Sequence, residues 1–175
     1  MIMTRTGTRT GTLLALAAAG AVLLSLAPAE AASGRLRVRG EQGVVAGGAA
    51  NGNAWVRGRT HRQNADGSRT AASGGAIRLG NGATAARAAT TTVQPDGSAA
   101  HSGGFAASGA KGTVTSSGSA TRAADGTMAG SRQTSVTAAN GNSYQGTVAY
   151  DPATGLARSG GCRDASGAAI ACPSR

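Results

Sequence analysis

The chain alternates over short runs rather than cycling with a helical period. Arg35-Leu36-Arg37-Val38-Arg39 sets three cations on one side of an extended strand and two aliphatic residues on the other. Trp55-Val56-Arg57-Gly58-Arg59-Thr60-His61 repeats the arrangement, with Trp55, Arg57, Arg59 and His61 sharing a face. Thr113-Val114-Thr115, Thr134-Ser135-Val136-Thr137 and Tyr144-Gln145-Gly146-Thr147-Val148-Ala149-Tyr150 have the same β-favouring character.

Turn signals separate these runs at a regular interval. They are Asn51-Gly52, Asp66-Gly67, Asn81-Gly82, Asp96-Gly97, Lys111-Gly112, Asp125-Gly126, Asn140-Gly141, Thr154-Gly155 and Ser166-Gly167, and successive glycines are mostly fifteen residues apart. Asn-Gly and Asp-Gly tolerate positive φ at both central positions of a type I′ turn, which predicts tight antiparallel hairpins. The expected fold is therefore all-β: a repetitive antiparallel meander of eight or nine strands, with a 15-residue strand repeat inside a hairpin repeat of about 30 residues. Turns at Asn51, Asn81, Lys111 and Asn140 would lie at one end, and those at Asp66, Asp96, Asp125 and Asp151 at the other. A β-solenoid uses similar turn chemistry and is the competing architecture. A largely disordered chain is the third reading, though disorder gives no reason for a kept register.

Composition narrows how such a sheet could be held. Beyond residue 29 the large apolar residues are eight valines, three leucines, two isoleucines, Phe105, Trp55, Met128, Tyr144 and Tyr150, too few for an ordinary aliphatic core. Order must come from backbone hydrogen bonds and close packing of Ala, Gly, Ser and Thr faces.

The first 29 residues read as a secretory signal peptide. Arg5 and Arg9 precede an apolar Leu/Ala stretch, and Ala27-Pro28-Ala29 or Ala29-Glu30-Ala31 offers the small residues a signal peptidase cuts after. Residues 30–50 form a basic N-terminal segment, with flexibility as one reading of it, and 51–175 a β-repeat domain. Cys162 and Cys172 flank a turn at Gly167, so an oxidising compartment would join them and close the domain with a disulfide hairpin. The chain is expected to be exported, periplasmic or extracellular, with no transmembrane segment after the signal peptide.

Candidate chemistry is sparse. The five aspartates all stand at turns, and His61 and His101 are forty residues apart in no ligand pattern. No nucleophile elbow, P-loop or H-E-x-x-H motif occurs. The sequence thus points away from an enzyme, and no cofactor, metal or small-molecule substrate is indicated.

What remains is charge. The chain carries a net charge of +10, almost wholly from arginine. Arg35, Arg37, Arg39, Trp55, Arg57, Arg59 and Arg62 are the candidate polyanion-binding residues, because guanidinium forks grip carboxylate and phosphate in pairs. Expected partners are anionic polysaccharide, lipopolysaccharide or extracellular DNA, bound without sequence preference.

The terminal stretch Tyr150-Asp151-Pro152-Ala153-Thr154-Gly155, with Cys162-Arg163-Asp164-Ala165-Ser166-Gly167 and Ile170-Ala171-Cys172-Pro173, resembles uncharacterised secreted Gly/Thr/Arg-rich repeat proteins of Gram-negative bacteria. That resemblance implies an envelope setting and carries no activity. The reading overall is an exported, non-enzymatic structural or surface-binding repeat protein. A self-associating, amyloid-like matrix component is the first alternative, and a cationic effector acting on membranes or nucleic acid the second.

Overall fold

The computed structural model describes residues 33–173; the expected signal peptide lies outside them. Among the described residues there are eleven strands and no helix: β1 (Gly34–Gly40), β2 (Gly43–Ala50), β3 (Asn53–Gln63), β4 (Arg69–Arg78), β5 (Thr84–Val93), β6 (Ala99–Gly109), β7 (Gly112–Arg122), β8 (Met128–Ala138), β9 (Ser143–Asp151), β10 (Gly155–Arg163) and β11 (Ala169–Ile170). They form one open sheet in chain order, each strand antiparallel to its sequence neighbours. The architecture is the all-β meander.

Nine of the strands, β3 to β11, lie within the expected repeat domain 51–175, in line with the eight or nine expected, and two more precede it. From Gly34 onward the basic N-terminal segment supplies those two, joined at Glu41-Gln42. That turn has no Asn-Gly or Asp-Gly marker, so its hairpin is silent in the turn periodicity.

All nine predicted turn glycines have positive φ, between 74° at Gly52 and 125° at Gly112. The turn type differs from expectation, however. Only Asn51 joins its glycine at positive φ (51°), as a type I′ turn requires. In the loops 64–68, 79–83, 94–98, 123–127, 138–142 and 164–168, the glycine N–H donates to the first residue's carbonyl at 2.9–3.0 Å. The first residue's N–H in turn donates to the last residue's carbonyl at 2.8–2.9 Å. This is a three-residue hairpin: a type I turn followed by a left-handed glycine forming a bulge. Pro95 fits it, since a fixed φ near −65° suits the first central position of a type I turn.

The turn aspartates bond back onto these loops. Asp66 Oδ1 accepts from the Ser68 hydroxyl at 2.6 Å and its N–H at 2.9 Å, and Asp164 Oδ1 from Ser166 and Ala168. The carboxyls of Asp66, Asp96 and Asp164 are held below the usual range chiefly by the serine hydroxyls two residues on, and that of Asp125 chiefly by the Thr127 N–H. A carboxyl whose pKa is lower folded than unfolded contributes stability that is complete above the unfolded value, near 4, and is lost as pH falls through the folded one. The thermal midpoint is therefore expected to fall between pH 5 and pH 3, and the Asp→Asn quadruple variant at 66, 96, 125 and 164 to show a much smaller fall.

The sheet is a single layer. Among the described residues the buried hydrophobic ones are Ala76 and Cys162, and the buried polar ones Ser68 and Ser116. Leu36, Val38, Val45 and Leu156 stand about half or more exposed. Backbone ladders between strands, rather than a core, hold the chain together. The last hairpin is closed by a Cys162–Cys172 disulfide.

Candidate anion-binding face

Side chains alternate between the two faces of a strand, and the antiparallel register carries each face across the sheet. One row runs Arg37, Ala46, Arg57, Gly75, Arg87, Phe105, Ser116 and Thr134 from β1 to β8. The next row on the same face runs Arg39, Val44, Arg59 and Ser73 from β1 to β4. A third begins Arg35, Gly48, Trp55 and Ile77, and continues through Val114, Val136, Tyr144 and Cys162 to Ile170.

The result is a strongly unequal sheet. Arg35, Arg37, Arg39, Arg57, Arg59, Arg69, Arg87, Arg122, Arg132 and Arg158 share one face with Trp55, Phe105, Tyr144 and Tyr150. Arg62, Arg78 and Arg163 lie on the other. The acidic residues among those described are Glu41, Asp66, Asp96, Asp125, Asp151 and Asp164, all at turns or strand ends. The middle of the arginine face thus has no carboxylate of its own.

Six of the seven candidate residues are brought together here: Arg35, Arg37, Arg39, Trp55, Arg57 and Arg59. Arg62 is not. It pairs with Thr70 and lies on the opposite face, because it is an odd number of positions from Arg57 and Arg59 in an unbroken strand.

Small residues shape the floor between the cations. Arg37, Arg57, Arg59 and Arg87 line a shallow depression of about 360 Å³ with Val44, Ala46 and Ser73. Gly75 sits between Arg57 and Arg87 in the row, and a Cβ there would lie 2.9 Å from the Val56 carbonyl oxygen and 3.3 Å from Arg57 Cβ. The Arg57 guanidinium carbon stands 5.5 Å from the centre of the Trp55 ring, a cation–π contact that orders both side chains. The ring in turn covers Gly48, whose hypothetical Cβ would be 3.0 Å from the indole nitrogen.

Further along, Arg132 donates to the Ser116 hydroxyl at 2.8 Å, which brings its head into the Arg37–Arg57–Arg87 row. Ser116 donates onward to the Gln133 carbonyl at 3.1 Å and lies 2.9 Å from the Thr134 hydroxyl. His61 and His101 occupy a single row, separated by Ala71 and Thr91. Both line a second depression of about 580 Å³ beside Arg39 and Arg59, and His101 Nδ1 is 2.8 Å from the Thr91 hydroxyl.

Sequence reasoning missed Arg69, Arg87, Arg122, Arg132 and Arg158 on this face, and this histidine alignment. Arg87 carried a usable signal: it follows Arg57 by thirty residues, one hairpin repeat, so the period itself puts it on the same face. Arg132 carried none, since its contribution depends on reaching diagonally across a strand. Among the described residues no three His, Cys, Asp or Glu side chains are grouped as a metal would need. No family model, curated protein or solved structure matches the chain.

Proposed function

We propose that this is an exported, non-enzymatic repeat protein that binds anionic polymers outside the cytoplasm through the arginine face. The observation that carries the reading is the segregation of charge: ten strand arginines on one face, with carboxylates confined to the sheet ends. The arginines stand on hydrogen-bonded strands whose backbone is already ordered, so less backbone freedom is lost when a polymer engages several of them. Trp55 and Phe105 add apolar surface for the flat faces of sugar rings or bases. The Cys162–Cys172 disulfide is compatible with an oxidising compartment, where envelope polysaccharide, lipopolysaccharide and extracellular DNA are the abundant polyanions.

Such a surface reads charge density and not sequence. The protein is expected to bind a sulfated polysaccharide and duplex DNA of unrelated sequences with similar affinity at about 50 mM salt, and to lose at least 100-fold by about 200 mM. Fluorescence anisotropy over a salt series measures this. Absence of binding at the lower salt, or affinity that does not change with salt, would remove the proposal.

A further inference from the structure

The face opposite the arginines differs sharply in chemistry. It is built from small residues: the row through Leu36 continues as Gly47, Val56, Ala76, Ala86 and Ala106. The row through Val38 continues as Val45, Gly58, Gly74, Ala88 and Gly104. Its most apolar members are open to solvent, Leu36 by 70 %, Val38 by 56 % and Val45 by 49 %. Beyond β6 the same face turns polar, with Thr115, Ser135 and Gln145 following Ala106.

We infer that a second copy of this chain covers the apolar part, β1 to β6, so that two sheets pack back to back about a two-fold axis. Charge separates the two possible stackings. The arginine faces repel one another, whereas between β1 and β6 the opposite face carries cations only at strand ends, Arg62 and Arg78, where long stems reach water. An axis running across the strands sets β1 to β6 of one copy on β1 to β6 of the other, apolar on apolar.

Shape selects the same partner. Gly, Ala, Ser and Thr make up most of this face between β1 and β6, its larger apolar members being Leu36, Val38, Val45 and Val56 on β1 to β3, and the complement of such a low-relief surface is another low-relief face of small residues. The area suffices: six strands at about 4.8 Å spacing and about 30 Å long present about 900 Å² per copy, about 1,800 Å² in all, within the range of stable interfaces. The pairing is isologous and closes on itself, so it stops at two. It also supplies the second layer that a one-layer sheet with two buried hydrophobic residues lacks. Both arginine faces point outward.

Sedimentation equilibrium of the purified protein tests this in solution at about 0.15 M salt, where arginine repulsion between faces is screened beyond about 8 Å. The expected mass is twice that of the chain. Ala86→Glu, which adds a charge at an exposed position in the middle of the small-residue face, is expected to halve it. Ser73→Glu, equally exposed on the arginine face, is expected to leave it unchanged. A monomeric parent, a mass that grows without limit, or an Ala86→Glu protein that stays dimeric would each overturn the inference. Should Ala86→Glu fail to fold, Ala86→Cys decides: oxidation is expected to link two chains through position 86, and monomeric protein after oxidation would refute the packing.

Discussion

Replacing Gly112 with alanine is expected to cost about 3 kcal/mol or more of stability, the largest loss from any single turn glycine. Gly112 opens β7 at φ 125°, outside the left-handed region that Asn or Asp can enter. Space is closed as well: a Cβ would run into the Thr137 carbonyl oxygen and lie 2.8 Å from Ala138 Cα, both backbone atoms of the neighbouring strand. Neither can yield without moving the β7–β8 ladder, which pairs Gly112 with Ala138. The position also lies mid-sheet, with six strands on one side and four on the other. Gly97 is the control. Its φ of 84° is left-handed and nothing lies within 4 Å of a Cβ there, so Gly97→Ala carries only backbone strain, about 1 kcal/mol. Urea midpoints of the two variants measure the difference; equal losses would mean that the close approach at Gly112 relaxes freely.

The second large effect concerns binding. Arg57→Gln with Arg87→Gln is expected to lower the slope of log affinity against log salt for duplex DNA by about 2, one unit per arginine removed. Arg62→Gln with Arg163→Gln changes net charge by the same amount on the opposite face, and is expected to shift the slope by much less. Net charge alone predicts identical effects, so the pair of variants separates a binding face from general cationic attraction. Arg57 and Arg87 are exposed, and melting temperature is expected to stay close to that of the parent apart from the lost Trp55 contact.

Much of the architecture was legible because its punctuation is glycine. A left-handed residue is required wherever a three-residue hairpin closes, and no side chain substitutes cheaply for its absence, so Gly67, Gly82, Gly97, Gly126, Gly141 and Gly167 stand out in the sequence. Turn type was misread because type I′ and bulged type I turns both end in Asn-Gly or Asp-Gly. The distinction lies one residue earlier, at Ala65, Gly80, Pro95, Ala124, Ala139 and Ala165, and Pro95 was the informative member. The Glu41-Gln42 turn escaped notice because neither of its residues takes positive φ. Of the binding face, the alternating arginines of β1 and β3 could be read locally. Placing Arg62 correctly needed only strict parity. Joining Arg57 to Arg87 across Gly75 needed the inter-strand register, which local alternation does not contain.

The strand repeat has an odd number of residues, and this constrains how the chain can change length. Arg69, Thr84 and Ala99 open β4, β5 and β6 at intervals of fifteen, and they alternate between the two faces. Loss of one strand with its turn would leave every hydrogen-bonded ladder able to re-form, yet move each later side chain to the other side of the sheet. Arginines would then land among the alanines. Loss or duplication of thirty residues keeps both surfaces intact. Because each strand pairs only with its chain neighbours, the hairpin is the smallest module by which such a protein can be shortened, extended or recombined while keeping two chemically distinct sides.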